Sequence, residues 1–144
     1  MSRSDVVGFE VFDTADVELP DRRPLARVDG AGHLLLNREA WELLRDPRGL
    51  SRPWSGSRVH LLFDEAARMA AVRPAYAESG TNVFEVETTR GLDWPRMVEA
   101  SRFAEHYRIQ AGVFWARREV VTRLVAFPVG PPVPAVGQPE RLLR

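Results

Sequence analysis

His33, His60 and His106 are the side chains best suited to bind a metal, and they stand far apart in a spacing that matches no metal motif such as HExxH. Cysteine is absent, which removes thiolate ligands, disulfides and thiol catalysis. Asp64 and Glu65 in "FDEAAR" are adjacent carboxylates, a combination that can serve acid/base chemistry. Their strand-like flanks place them at a solvated hairpin tip, where the burial that such catalysis needs is missing. "DGAG" at Asp29 lacks the lysine and hydroxyl residue of a phosphate loop and reads as a turn. No catalytic, metal or cofactor site is therefore expected, and function is sought in binding.

Arginine carries what chemistry remains. The chain has 20 basic residues and no lysine, which excludes Schiff-base and P-loop chemistry. Guanidinium groups grip phosphates and carboxylates bidentately, although GC-rich codon usage accounts for the same composition. Formal charge is zero, yet the charges segregate. Met1 to Asp21 holds Arg3 against six acids, and Arg22 to Arg58 holds eight arginines against four. A second basic segment runs from Arg102 to Arg123, after an acidic stretch from Tyr76 to Glu99. A polyanion-binding face opposed to an acidic one fits this pattern, as does mutual pairing of the segments. Such a face draws on Arg27, Arg38, Arg52, Arg58, Arg102, Arg117 and Arg118. Trp54 in "SRPWSGSR" is an aromatic in an arginine-flanked loop that can stack on a base or anchor a protein, or fold back to cap the core. Trp94 and Arg96 in "TRGLDWPR" repeat that arrangement as a second contact point.

These residues need elements to position them. A chain of 144 residues, 44% hydrophobic and 28% charged, fits one soluble domain. The start of the chain lacks the apolar h-region of a signal peptide, and no run approaches the roughly 18 apolar residues of a membrane helix. A cytoplasmic location without membrane contact is the default expectation. Strands are predicted at Val6 to Phe12, Leu25 to Val28 and Asn82 to Glu87. Asn37 is placed to cap a helix "REAWELLRD" with Ala40, Trp41 and Leu44 as its buried stripe, and Ser101 to cap "RFAEHYRI". Two β-hairpins are expected, Val59 to Phe63 with Met69 to Val72, and Val113 to Ala116 with Val120 to Phe127, the second turning at "RRE". The tail from Val129 is proline-rich and expected to be extended or disordered.

The hairpins sit in two stretches of equal length, "VHLLFDEAARMAAVRP" and "VFWARREVVTRLVAFP", which align Val59 on Val113, Glu65 on Glu119 and Pro74 on Pro128. Upstream, "NREA" at Asn37 faces "SRFA" at Ser101. The pattern predicts pseudo-repeats at about 25–74 and 82–128 inside one domain of residues 1–128, with 129–144 as a tail. Neither repeat would bury its apolar face alone. The expected class is α+β: a duplicated strand-helix-hairpin unit closed into a small, mostly antiparallel barrel or sheet with two short helices.

"VDGAGHLLLNREAWELL" followed by "RVHLLFDEAARMAAVRP" resembles the swapped-hairpin proteins of the AbrB and MraZ type, and small uncharacterised bacterial proteins of similar pattern. In the former, two such units interlock into one barrel, and MraZ carries both in one chain. The resemblance covers about 100 residues, from Leu25 to Pro128, and implies a DNA-binding transcription regulator or antitoxin. The other reading is a protein adaptor that uses the Trp54 loop or the tail. Possible partners are thus DNA, another protein or a further copy of the chain.

Overall fold

The computed structural model describes residues 23–50, 52–76 and 82–134. The strand expected at Val6 to Phe12 and the tail from residue 135 onward lie outside them. Nine strands and two α-helices follow in the order β1 (Leu25–Val28), β2 (His33–Leu36), α1 (Arg38–Leu44), β3 (Arg58–Asp64), β4 (Met69–Pro74), β5 (Phe84–Thr88), β6 (Arg96–Glu99), α2 (Ser101–His106), β7 (Gly112–Trp115), β8 (Arg117–Arg118) and β9 (Val125–Pro128). All ladders are antiparallel, and the spatial order is β7-β1-β2-β6-β5-β3-β4-β9-β8. The two ends of this order, β7 and β8, are separated in the chain only by Ala116, whose amide donates to the Pro24 carbonyl at 2.9 Å. One bent segment thus reaches both ends of the sheet and closes it into a nearly complete barrel.

Leu34, Leu36, Val59, Val72, Val98 and Phe127 point inward from five strands and are almost wholly buried. The turn between β1 and β2 is built on Asp29, whose Oδ1 accepts from the amides of Ala31 (2.9 Å) and His33 (2.8 Å). Its Oδ2 lies 3.0 Å from His33 Nδ1. Burial alone would push the Asp29 carboxyl up, but the His33 and Ala31 hydrogen bonds outweigh it and hold the group below its ordinary value. Gly32 adopts φ +87°, and a Cβ there would lie 2.6 Å from Ser101 Cα, so the turn presses against the start of α2 and admits only glycine.

Helix α1 follows expectation: Asn37 Oδ1 accepts from Ala40 N, and Ala40, Trp41 and Leu44 are buried. The same oxygen accepts from Leu25 N at 2.9 Å, and Asn37 Nδ2 donates to the Arg23 carbonyl at 2.9 Å. Asn37 therefore staples β1 to α1. Helix α2 departs from expectation. Ser101 is its first helical residue, and Ala100 holds the cap position without a side-chain acceptor of its own.

Two further differences matter for the surfaces below. "RMVE" after Trp94 is a strand, β6, paired with β2 and β5. The second hairpin is not formed by Val113 to Ala116: β7 crosses to β1, and β8 alone pairs with β9, Arg117 opposite Ala126 and Arg118 opposite Val125. Local alternation marks Val113 to Phe127 as extended, but the bend at Ala116 changes the partner. Residues 129–134, the described part of the expected tail, stay on the barrel, with Val129 2% exposed and Val133 N donating to the Arg108 carbonyl.

Candidate binding surfaces

The arginines named from the sequence fall into separate groups. Arg27 is exposed on the outer face of β1, opposite Leu35 and Val113, with its guanidinium 6.0 Å from the centre of the Trp94 ring. Arg38 is exposed at the start of α1. With Leu25, Leu92, Trp94, Val113 and the acids Glu39 and Asp93 it lines an open depression of about 430 Å³. The fold therefore brings Arg27, Arg38 and Trp94 to one surface. Arg102 is exposed at the start of α2, on the other helix.

Other candidates are engaged within the fold. Arg52 lies 4.4 Å over the Tyr76 ring, and the Tyr76 hydroxyl donates to the Arg52 carbonyl. Arg58 is half-buried and faces Glu85 across the β3–β5 ladder. Arg117 pairs with Glu119 at 3.4 Å, and Arg118 donates to the carbonyls of Leu43 and Arg123. Arg48, in the 3-10 turn after α1, grips Asp46 and draws its carboxyl down to about 2.

Trp54 folds inward. Its ring lies 5.4 Å from Trp41, and its indole N–H donates to the Arg58 carbonyl at 3.0 Å. Arg96 covers the Trp41 ring at 4.8 Å. The half-buried Trp54 and Arg96 thus pack against the buried Trp41, and Trp94 lies beside Arg27. Among the described residues the exposed large aromatic is Trp115, 56% exposed on the outer face of β7 beside Val113, with the Arg23 guanidinium 4.5 Å from its ring centre.

Sequence reasoning missed the most exposed apolar residues. Val120 and Val121 are each 91% exposed and Leu92 is 94% exposed. The expected strand Val120 to Phe127 begins only at Val125, and the two valines lie in the turn before it. The turn that exposes them is fixed by hydrogen bonds from Glu119 N to Leu124 O and from Arg123 N to Glu119 O, with Arg123 in the left-handed region at φ 63°. Val-Val flanked by Glu and Thr was the available signal, since an apolar pair within polar residues suits an apex as well as a strand.

Among the described residues no cluster of three or more histidines or carboxylates could hold a metal ion, and no helix is long and apolar enough to cross a membrane. His33 is held by Asp29, His60 Nδ1 lies 3.2 Å from the Asn82 carbonyl, and His106 packs edge-on to Tyr107. No protein-family model, curated protein or solved structure matches this chain.

Proposed function

We propose that the chain is a fused pair of interlocking strand-helix-hairpin units that binds duplex DNA as a transcription regulator or antitoxin. The observation that carries this reading is the exchange of strands between the halves. The first strand of each half pairs with the third strand of the other, β1 with β7 and β5 with β3. The registers correspond as well. Val28 opposite Leu34 matches Val86 opposite Val98, Ala26 opposite Phe114 matches Phe84 opposite Val59, and Leu62 opposite Ala71 matches Arg117 opposite Ala126. Two matched pairs face themselves, Leu34 with Val98 and Ala71 with Ala126, as residues on a pseudo-two-fold axis must. This correspondence moves the sequence alignment of the hairpins by one residue, setting Val59 on Phe114, while Asn37 stays on Ser101. It is the interlocking expected of the swapped-hairpin proteins that the sequence resembles.

Fold alone does not assign function. A neutral chain must reach DNA through a local arginine face, because phosphate neutralisation supplies most of the affinity. Arg27 and Arg38 beside Trp94 supply one such face, and Arg102 occupies the position matched to Arg38. The test is fluorescence anisotropy of the full chain against a random duplex. With about three phosphate contacts, raising salt from about 50 to 200 mM weakens binding about 40-fold. Arg27→Ala with Arg38→Ala removes about two thirds of that salt dependence. Absence of binding at the lower salt overturns the reading.

One observation favours the adaptor instead: Trp115 and Val113 are exposed side by side on β7, next to the depression that holds Leu92. This moves the protein-binding reading from Trp54 to Trp115. A protein partner whose capture is lost with Trp115→Ala and kept with Trp54→Ala would establish it.

A further inference from the structure

We propose that the β8–β9 hairpin is a ribbon that enters the major groove of duplex DNA and sets Val120 and Val121 against thymine methyl groups; this rests on the DNA reading above. Both valines are 91% exposed at adjacent positions, so their methyls are displayed to solvent rather than packed. The apex is nonetheless fixed. Arg118 ties its base to the Leu43 and Arg123 carbonyls, and Leu124 N donates to Thr122 Oγ1 at 3.3 Å. Valine is stiff at χ1, so presenting it to a partner loses little rotamer freedom.

Charge identifies the partner as an anion. Within the hairpin, Arg117, Arg118 and Arg123 stand against one acid, Glu119, and Arg117 and Arg123 are exposed; Asp46 also lies near Arg118, and Asp64 shares a depression with Arg117. The Arg117–Glu119 pair at 3.4 Å joins side chains 71% and 38% exposed, a weak contact that a phosphate can displace. Shape selects the groove, since the major groove of B-DNA admits a two-stranded β-ribbon. Thymine alone presents a methyl group there, which is what the apolar Val120–Val121 pair can read. The other hairpin carries Glu65 and Ala66 at the matched positions and an acidic residue, Asp64, before them. A phosphate backbone repels that apex, so one ribbon reads and the other does not.

The experiment is anisotropy with the full chain on two fluorescein-labelled duplexes of one A/T-containing sequence, one with thymine and one with uracil throughout. Each methyl buried against valine is worth about 4-fold in affinity, so the wild type should prefer thymine by about that factor or its square. Val120→Ser with Val121→Ser should bind both duplexes alike, at the wild-type affinity for the uracil duplex. The fully solvated apex lets this variant fold, which thermal unfolding checks. Equal wild-type binding to the two duplexes, or a thymine preference kept by the variant, overturns the ribbon proposal and leaves the DNA reading standing. No binding to either duplex overturns both. Binding to anionic vesicles that the valine variant loses, without duplex binding, would assign the apex to a lipid surface instead.

Discussion

The two hairpins, β3–β4 and β8–β9, have the same ladder register, and each turn holds an arginine in the left-handed region, Arg68 and Arg123. Their side chains are used in opposite ways. Phe63 near the end of β3 stacks at 4.2 Å on Tyr107, the residue that caps the C-terminus of α2, and meets Phe103 of α2 edge-on at 6.0 Å. Arg68 lies 4.9 Å over the Phe63 ring and donates to the Gly130 carbonyl at 2.8 Å. At the position matched to Phe63 the second hairpin has Arg118, and facing it on α1, in place of Tyr107, is Leu43, whose carbonyl accepts from Arg118. One hairpin is clamped by an aromatic cluster. The other is tethered by a guanidinium and leaves its apolar apex in water. A shared ladder register permits this divergence because a turn constrains φ and ψ but not the identity of solvent-facing side chains.

The largest effect is expected where the helix starts differ most. Asn37 is 5% exposed and bonds the Leu25 and Ala40 amides and the Arg23 carbonyl, whereas the matched Ser101 makes no cap hydrogen bond. Asn37→Ala should cost about 3 kcal/mol, roughly 1 for each group left unpaired. Ser101→Ala should cost less than about 0.5 kcal/mol. Urea unfolding of both variants decides it, and equal losses would break the comparison.

The hairpin clamps come next. Phe63→Ala removes a half-buried ring from the aromatic cluster, and about 2 kcal/mol is expected, below the 3–5 of a fully buried phenylalanine. Arg118→Met keeps the stem and deletes the tether, for about 1 kcal/mol. Denaturant midpoints at unchanged slope would establish this order, and a larger loss for Arg118→Met would reverse it.

How much of this was legible in the sequence follows from what each feature depends on. Helix α1 was readable because Asn37, the stripe of Ala40, Trp41 and Leu44, and its termination are local. The β3–β4 hairpin was readable for the same reason, with polar turn residues between two apolar runs. Strand β6 was not, since four residues after Trp94 give too short an alternation, and its pairing with β2 is set by the other half of the chain. The inward fold of Trp54 depends on the Trp41 ring and the Arg58 carbonyl, which no local pattern reveals. Arg27 and Arg38 were named from composition, but their meeting with Trp94 depends on the β5–β6 turn crossing to α1.

The smallest effect separates the two helix starts by pH. The acceptor at α1 is the amide oxygen of Asn37, which does not titrate, whereas at α2 the Glu99 Oε2 accepts from Ser101 N at 3.3 Å. Hydrogen bonds from the Ser101 side chain and amide hold the Glu99 carboxyl below its ordinary value. A depressed folded-state value means that the contribution is complete above the unfolded value of about 4.3 and is lost as pH falls through the folded one. Amide exchange followed by NMR from pH 6 downward should therefore show Ser101 losing protection in acid while Ala40 keeps it. In Glu99→Gln the acid step at Ser101 should vanish, because the acceptor no longer titrates. An acid step of equal size at Ala40, or one that survives Glu99→Gln, would place the pH sensitivity outside the α2 start and return the two helices to equivalence.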